Sequence, residues 1–379
     1  MDCAVQREDL LRSLYLVQGV AERKTPLPIL SHILAETSGD NLTLAATDLE
    51  VSVRQICPAA VKKPGAFTVD ARKVYEIVRE LPEGLIGFKL GEGGWVSMTA
   101  QNSRFRLASL DPREFPSFPG PKADDAQSTP GSPQAVSLPA DRLREMLEKT
   151  LFAAAVDDTR QTLNGILLEG RPSGKLRMAA SDGHRLAMID RAVTIGEPGS
   201  WSSTILPRKG VIEARKIIEK GDAEIELSVH GVLATLKKET VEMSMRLMEG
   251  EFPDYRQVIP SKSTHVASFG RDAMLGAIRR LMILTSERSR GVRLVLQRAV
   301  MEVSVSNPDL GEGVEEIEVE YPGEGLTVGF NGRYLADALA VLPEGARLRL
   351  DLNDDVSPAT IRCHDDEDYL YLVMPMRLG

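Results

Sequence analysis

Asp9-Leu10-Leu11-Arg12, Asp141-Arg142-Leu143-Arg144 and Asp272-Ala273-Met274-Leu275 decide the architecture of this chain, because they are one signal written three times. Each opens a stretch with apolar residues at helical spacing, and the starts lie 132 and 131 residues apart. A second helix signal follows in every copy, at Ala71-Arg72-Lys73-Val74, Pro207-Arg208-Lys209-Gly210 and Asn331-Gly332-Arg333-Tyr334. Every copy then closes on a strand-like segment ending in proline: Phe115-Pro116, Phe252-Pro253 and Met374-Pro375. Three landmarks in constant order imply tandem copies of one unit, hence an extended or ring-like object built from like parts. The division read from the sequence is 1–122, 134–253 and 254–379, three units of ordinary domain size.

Composition bounds what those units do. With 42% hydrophobic residues and only 5% aromatic ones, the cores are expected to be aliphatic. No apolar run approaches membrane-spanning length and the N-terminus lacks a secretion core, so a cytoplasmic protein without membrane partners is expected. Cys3, Cys57 and Cys363 are odd in number and far apart, which suits a reducing compartment and supports neither a disulfide framework nor a cysteine metal site. The net charge of −9 argues against nucleic acid until its distribution is read. Six candidate helices, at 6–24, 70–80, 140–160, 207–221, 270–290 and 331–343, together carry +6, leaving −15 on strands and loops. An acidic protein with basic helices can present one polyanion-binding face and repel polyanions elsewhere.

Each repeat reads as two similar halves, a helix followed by about three strands, giving an α+β fold. In the first half, Leu10, Leu14 and Val17 mark a buried helical stripe, and strands are predicted at 29–37, 41–46 and 51–57 around the turn Ser38-Gly39-Asp40. The second half predicts a strand at 66–69, a helix with Val74, Ile77, Val78 and Leu81 inward, and strands at 87–90, 95–99 and 104–109. Pro82-Glu83-Gly84 and Pro343-Glu344-Gly345 stop equivalent helices. Residues 119–133 are polar and punctuated by proline, as a linker would be, and a second boundary falls near 253–264.

Catalytic signals are weak. Gly91-Glu92-Gly93-Gly94 lies between short strands and reads as a turn, and no phosphate-binding Gly-x-x-x-x-Gly-Lys-Ser/Thr occurs. Ser181-Asp182-Gly183-His184 holds three triad residue types side by side, whereas a triad assembles from separate elements. A hydrolase using Asp182 and His184 is the alternative this leaves. The acidic run Glu312, Glu315, Glu316, Glu318, Glu320 alternates in part with Val314, Ile317 and Val319, as a strand with a charged outer face does. No second cluster completes a metal site there, and the five histidines lack ligand spacing, so no metal, no cofactor and no catalytic residue is expected.

Segments through all three repeats resemble the β subunit of bacterial DNA polymerase III, the sliding clamp. They are Leu27-Pro28-Ile29-Leu30, Thr47-Asp48-Leu49-Glu50, Leu163-Asn164-Gly165, Ser181-Asp182-Gly183-His184-Arg185-Leu186, Pro207-Arg208-Lys209-Gly210-Val211-Ile212-Glu213, Phe252-Pro253-Asp254-Tyr255-Arg256, Arg290-Gly291-Val292-Arg293-Leu294, Gly329-Phe330-Asn331 and the tail Val373-Met374-Pro375-Met376-Arg377-Leu378. The resemblance implies three clamp domains per chain and a head-to-tail homodimer, with helices lining a ring around duplex DNA and sheets outside. A size estimate agrees: twelve helices side by side at roughly 10 Å each leave a hole of about 28 Å, wide enough for a duplex, whereas six leave under about 10 Å. The function implied is a non-enzymatic processivity factor, with a clamp-like adaptor that does not encircle DNA as the alternative.

The resemblance also assigns residues. Sequence-independent contact with phosphates falls to Lys24, Arg72, Lys73, Arg142, Arg208, Lys209, Arg215, Lys216, Arg279 and Arg280. A pocket for short Gln- and Leu/Phe-containing motifs of polymerases, the clamp loader and repair proteins is walled by Leu163, Ser181, Gly183, His184, Arg185, Leu186, Pro253, Val258, Tyr334, Ser357, Leu372, Met374, Pro375, Met376, Arg377 and Leu378. Leu, Val, Pro and Met would form an adaptable apolar cleft, with Arg and Ser as its polar rim. The seam between copies would join Lys73, Phe105 and Leu107 to Ile283, Leu284, Glu315, Glu316 and Glu318, apolar at the centre and complementary in charge. Two departures from the family pattern stand out: Gln257 beside the pocket where Arg is common, and Asp157 and Asp158 in a loop expected near DNA.

Overall fold

In the computed structural model the described residues are 1–22, 25–119, 134–156, 159–195, 203–218, 221, 223–286 and 290–377, with 134, 194 and 195 described by backbone alone. Among them are six α-helices: α1 (Arg7–Gln18), α2 (Ala71–Glu80), α3 (Ala140–Leu151), α4 (Arg208–Ile217), α5 (Arg271–Leu281) and α6 (Gly332–Ala340). The halves of each repeat are helix plus strands, as expected, but a strand also leads into every helix. Asp2–Gln6 leads into α1, Ala66–Asp70 into α2, Gln134–Pro139 into α3, Thr204–Pro207 into α4, His265–Gly270 into α5 and Leu326–Asn331 into α6. Each half is therefore strand–helix–three strands.

The leading strands are exchanged. Asp2–Gln6 pairs with Leu85–Leu90 of the second half, whereas Ala66–Asp70 pairs with His32–Ser38 of the first. Gln134–Pro139 pairs with Glu224–His230 and Thr204–Pro207 with Gly165–Arg171; His265–Gly270 pairs with Arg347–Leu352 and Leu326–Asn331 with Gly291–Gln297. Neither half can complete its sheet without the other, so the repeat folds as a pair.

The chain divides into two compact units, and the cut runs through the central repeat. One unit holds Met1–Arg144, Thr194–Glu197 and Lys209–Leu247; the other holds Glu145–Val193, Pro198–Arg208 and Met248–Gly379. In the first unit a five-stranded sheet has Ser103–Ala108 at one edge, and a nine-stranded sheet forms where Val241–Arg246 of the central repeat pairs with Val51–Pro58. In the second unit a twelve-stranded sheet forms where Asp366–Val373 pairs with Arg185–Ala192. The two repeat-to-repeat pairings are equivalent: Arg246 N–H donates to Glu50 O at 2.8 Å, and Met374 N–H to His184 O at 2.8 Å.

The helices bury the stripes the sequence marks. Leu10, Leu14 and Val17 of α1 and Val74, Val78 and Leu81 at α2 are buried, whereas Ile77 is half-buried, and the two helices pack together. Asp70 caps α2 by accepting from Lys73 N at 2.8 Å, and Gly84 beyond the helix end takes a positive φ of 130°. The first helix of every repeat is shorter than its predicted span, because Gly19 caps α1, a turn follows α3 and a 3-10 turn at Met282–Leu284 finishes α5. The predicted strand at 29–37 begins as a 3-10 turn at Pro28–Ser31 and extends from His32.

The acidic strand differs in register from its reading. Within Gly311–Glu320, Ile317 and Val319 face the core, but Val314 is 60% exposed on the opposite face. Gly313 shares the inner face because Leu281 and Leu284 leave no room: a Cβ there would lie 2.8 Å from Leu281. Cys3, Cys57 and Cys363 are buried free thiols. None of the described helices is long and apolar enough to cross a membrane. Linker residues 120–133 lie outside the described residues.

Candidate functional site

The loop Ser181–Arg185 is built on its own side chains. Asp182 Oδ1 accepts from the backbone N–H groups of His184 and Arg185 at 3.0 and 3.1 Å, and Ser181 Oγ donates to Arg185 O at 2.7 Å. The turn needs Gly183 in the left-handed region, φ 86°, and a Cβ there would meet the Arg160 guanidinium at 2.6 Å. His184 is exposed. The carboxylate of Asp182 spends both oxygens on backbone and on Arg185 Nε at 3.0 Å, so Asp182 and His184 do not form a catalytic pair.

Arg185 is not the rim residue its type suggested. Only 9% exposed, it lies over the Tyr334 ring at 4.3 Å and the Phe152 ring at 5.5 Å, and bonds Asp337 Oδ2 at 2.8 Å and Phe152 O at 2.6 Å. Burial pulls its pKa down, and the Asp337 and Asp182 carboxylates outweigh that and raise it. The guanidinium thus locks the loop, α6 and the end of α3 together. Phe152 and Asp337 were missed in the sequence; Asp337 stands one turn from Tyr334 on α6, which is the signal that would have found it.

The tail closes the other side. Met374 N–H bonds His184 O, Met376 N–H bonds Gly329 O at 2.8 Å, and Leu372 pairs with Leu186 across the sheet. Leu186 and Leu372 are buried in a cluster with Leu167, Ala179, Leu370 and Tyr255, against which Phe252, Met188 and Ile259 pack. Val258, Met374 and Met376 are exposed at this end of the sheet, with Pro253 and Arg377 also exposed and Pro375 half-buried. Leu163 is buried in the 3-10 turn Gln161–Asn164. Ser357 turns to Asp354, donating at 2.8 Å. Leu378 lies outside the described residues. Beneath the segment carrying Val258, Tyr255 donates to Glu169 at 3.0 Å and accepts from Arg177 at 3.1 Å, while Arg177 forks onto Asp190 at 2.6 Å. Gln257 donates to Asp254 at 3.0 Å.

The cations predicted to meet phosphates are more committed than expected. Arg72 and Lys73 both engage Glu76, Lys209 engages Asp48, Lys216 engages Glu213, and Arg280 forks onto Glu315 at 2.7 and 2.5 Å. Arg142, Arg215 and Arg279 are exposed and Arg208 is half-buried. Lys24, Asp157 and Asp158 lie outside the described residues. Of the residues expected at a seam, Ile283 is 77% exposed and so is not core; Leu284, Phe105 and Leu107 are half-buried, and Glu316 and Glu318 are exposed. Among the described residues Ser103–Ala108 pairs only with Trp95–Ala100, and Gly311–Glu320 pairs outward only at Val319 and Glu320, leaving two strand edges open among those residues. Arg104 and Arg106 are exposed on the edge strand Ser103–Ala108, the latter stacked on Trp95 at 4.4 Å, as alternation along the predicted strand 104–109 would place them. Among the described residues no cluster of three or more His, Cys, Asp or Glu could hold a metal ion.

Six strand–helix–three-strand halves, paired in three repeats and joined edge to edge, define a clamp-domain protein. Models of the DNA polymerase III beta subunit match at residues 1–119 for its N-terminal domain, 137–254 for its central domain and 256–377 for its C-terminal domain. The chain is 37% identical to a beta sliding clamp of Pseudomonas aeruginosa and 35% identical to that of Escherichia coli, in each case over all of both chains. Solved structures agree, each covering all of both chains: a Pseudomonas aeruginosa DNA polymerase sliding clamp with ligand has a TM-score of 0.90 at 36% identity, and a Bartonella birtlesii sliding clamp bound to griselimycin has 0.92 at 32%. This chain belongs to the DNA polymerase III beta subunit family, the beta sliding clamps, and is a non-catalytic processivity subunit.

Proposed function

We propose that two copies of this chain close head to tail around duplex DNA in the cytoplasm, and tether the polymerase, the clamp loader and repair proteins through the cleft beside the tail. Three clamp domains, 1–122, 134–253 and 254–379, make up each copy. The observation that carries the docking role is the bond from Met374 N–H to His184 O. It holds the tail against the loop so that Met374, Met376 and Val258 present adaptable apolar surface beside Tyr334 and Arg185. A short peptide with Leu and Phe side chains suits such a surface, with Gln bonding the polar backbone around Gly183.

The seam follows from the two in-chain junctions. By the same register, Ser103–Leu107 of one copy would add to Gly311–Glu315 of the next, setting Arg106 opposite Glu312, Phe105 opposite Gly313, beside Leu284, and Arg104 opposite Val314. Retention would be topological, through the closed ring, while Lys24, Arg72, Lys73, Arg142, Arg208, Lys209, Arg215, Lys216, Arg279 and Arg280 attract phosphates as a diffuse field. Lys73, Phe105, Leu107, Ile283, Leu284, Glu315, Glu316 and Glu318 keep their place in the seam reading, with Glu315 already tied to Arg280.

Polarisation of a fluorescent Gln-Leu-Ser-Leu-Phe peptide tests the docking role. Saturable binding that is lost in Met374→Asp and Val258→Asp, with the fold intact by circular dichroism, is expected; binding unaffected by both substitutions would sink the assignment of this cleft.

A further inference from the structure

The exposed outer face of the third repeat's first-half sheet has two counterparts in the chain, and both are covered. The same sheet row is Leu34–Ala45–Arg54 in the first repeat, Leu167–Ala179–Met188 in the second and Arg293–Ser304–Val314 in the third, each row fixed by cross-strand register. In the first repeat the segment following its last strand returns over this face, and the Arg54 guanidinium lies 4.7 Å from the Phe118 ring. In the second, Phe252, Tyr255 and Ile259 pack onto Leu167, Ala179 and Met188. In the third no described residue of the chain crosses the row. A cleft of about 360 Å³ lies there instead, lined by Arg293, Glu302, Ser304, Glu312, Val314 and, at its lip, Met376 and Arg377.

We infer that this cleft is a second docking groove, occupied by an extended segment of a clamp-binding partner that runs on from the peptide in the tail cleft and carries an aromatic side chain. Three observations converge on that occupant. The groove shares Met376 and Arg377 with the wall of the tail cleft, so a peptide leaving one enters the other without a gap. The two covered faces are both covered by the connecting segment that follows the repeat's last strand and bears aromatic rings, and in one of them a ring lies against a guanidinium. Arg293 and Val314 are both exposed on the groove floor with Ser304 between them, which offers an aromatic ring laid over Ser304 a cation on one side and a methyl surface on the other. The seam proposed above adds a strand edge-on to Gly311–Glu315, where Arg104 of the other copy extends the row beside Val314 without crossing the face. The inference rests on the docking role of the tail cleft.

The test compares five peptides by polarisation: Gln-Leu-Ser-Leu-Phe alone, the same peptide extended at its N-terminus or its C-terminus by Phe-Pro-Ser-Phe, and both extensions with alanine in place of each Phe. One aromatic extension is expected to bind about fivefold tighter than the pentapeptide, the size of a stacking contact that survives the cost of ordering the extra residues. That gain should vanish with alanine in the extension, and vanish in Arg293→Glu and in Val314→Asp, while both variants bind the bare pentapeptide as before. Equal affinity of all five peptides, or a gain that persists in Arg293→Glu, overturns the groove while leaving the tail cleft standing. Failure of the pentapeptide itself to bind removes the tail-cleft reading and the groove with it.

Discussion

Leu49 and Gly183 occupy the same turn in successive repeats, and only one of them suits it. Thr47 and Asp48 bond the turn just as Ser181 and Asp182 do, with Asp48 Oδ1 accepting from Glu50 N and Val51 N at 2.9 and 2.6 Å. Leu49 is forced to φ 78°, where a Cβ clashes with its own backbone, and its side chain is 55% exposed. Leu49→Gly should therefore stabilise the protein by about 0.5 kcal/mol, strain relieved exceeding the added freedom of the unfolded chain. Gly183→Ala should destabilise it and displace Arg160. Thermal melts of the two variants, shifted in opposite directions, check both. Arg185→Ala should cost about 3 kcal/mol in denaturant unfolding, because Asp182 and Asp337 lose a buried partner, and Arg185→Lys should recover only part since a lysine cannot fork and stack. At this scale the sequence was legible where a residue type has one use, as with Pro82-Glu83-Gly84, which stops α2 as its composition predicts. Arg185 was misread as rim because a cation's burial depends on partners 33 and 152 residues away, which no local pattern reveals.

Helices were legible from their stripes, and strand existence from alternation, yet the leading strand Asp2–Gln6 and the short strand Ala60–Lys63 were not. Asp2–Gln6 alternates, with Cys3 and Val5 buried, but over five residues only, and Ala60–Lys63 is four residues long and unpatterned, so the pairing of both comes from tertiary context. The tail is the element whose meaning changed most. Its two main-chain bonds make it part of the sheet framework, so deletion of 374–379 should loosen the third repeat as well as abolish docking. Met376→Pro isolates the effect: it removes the donor to Gly329 O, and peptide affinity should fall with a stability loss of about 1 kcal/mol. A peptide that binds Met376→Pro normally would separate the tail's bond from its docking role.

A cluster joining α3, Arg185–Ala192 and Asp366–Val373 sets the acid limit of the second compact unit. Arg191 bridges Glu145 and Asp366, and the buried Lys149 bonds the same two carboxylates at 2.7 and 2.8 Å. Burial raises both carboxyls, but hydrogen bonds and charge from Arg191 and Lys149 outweigh it and hold them below their ordinary range. Depressed folded pKa values mean stability that is complete above about pH 4.5 and lost as pH falls through the lower, folded values. Asp366→Asn should cost roughly 3 kcal/mol at pH 7, and the gap to the parent should narrow steadily below pH 4 in urea titrations.

For the molecule as a whole, Ile283→Asp should leave a folded monomer in sedimentation, since it puts a charge at the apolar centre of the proposed seam. An unchanged dimer would move the seam elsewhere. The thiols offer a global probe. Burial pushes Cys3 and Cys57 up to about 11, with the nearby Asp2 adding to the rise at Cys3, so both should ignore a thiol reagent at neutral pH until the first unit opens.

The nine-stranded sheet also has a history in time. Val51–Pro58 acquires its outer partner, Val241–Arg246, only after about 190 further residues have been made, a delay of roughly ten to forty seconds at ribosomal speed. Throughout that interval the newborn chain carries a strand with one open edge, available to any neighbouring nascent copy. Expression at a slowed translation rate should therefore raise the insoluble fraction of this protein, and co-expressed holding chaperones should be drawn to the emerging first repeat.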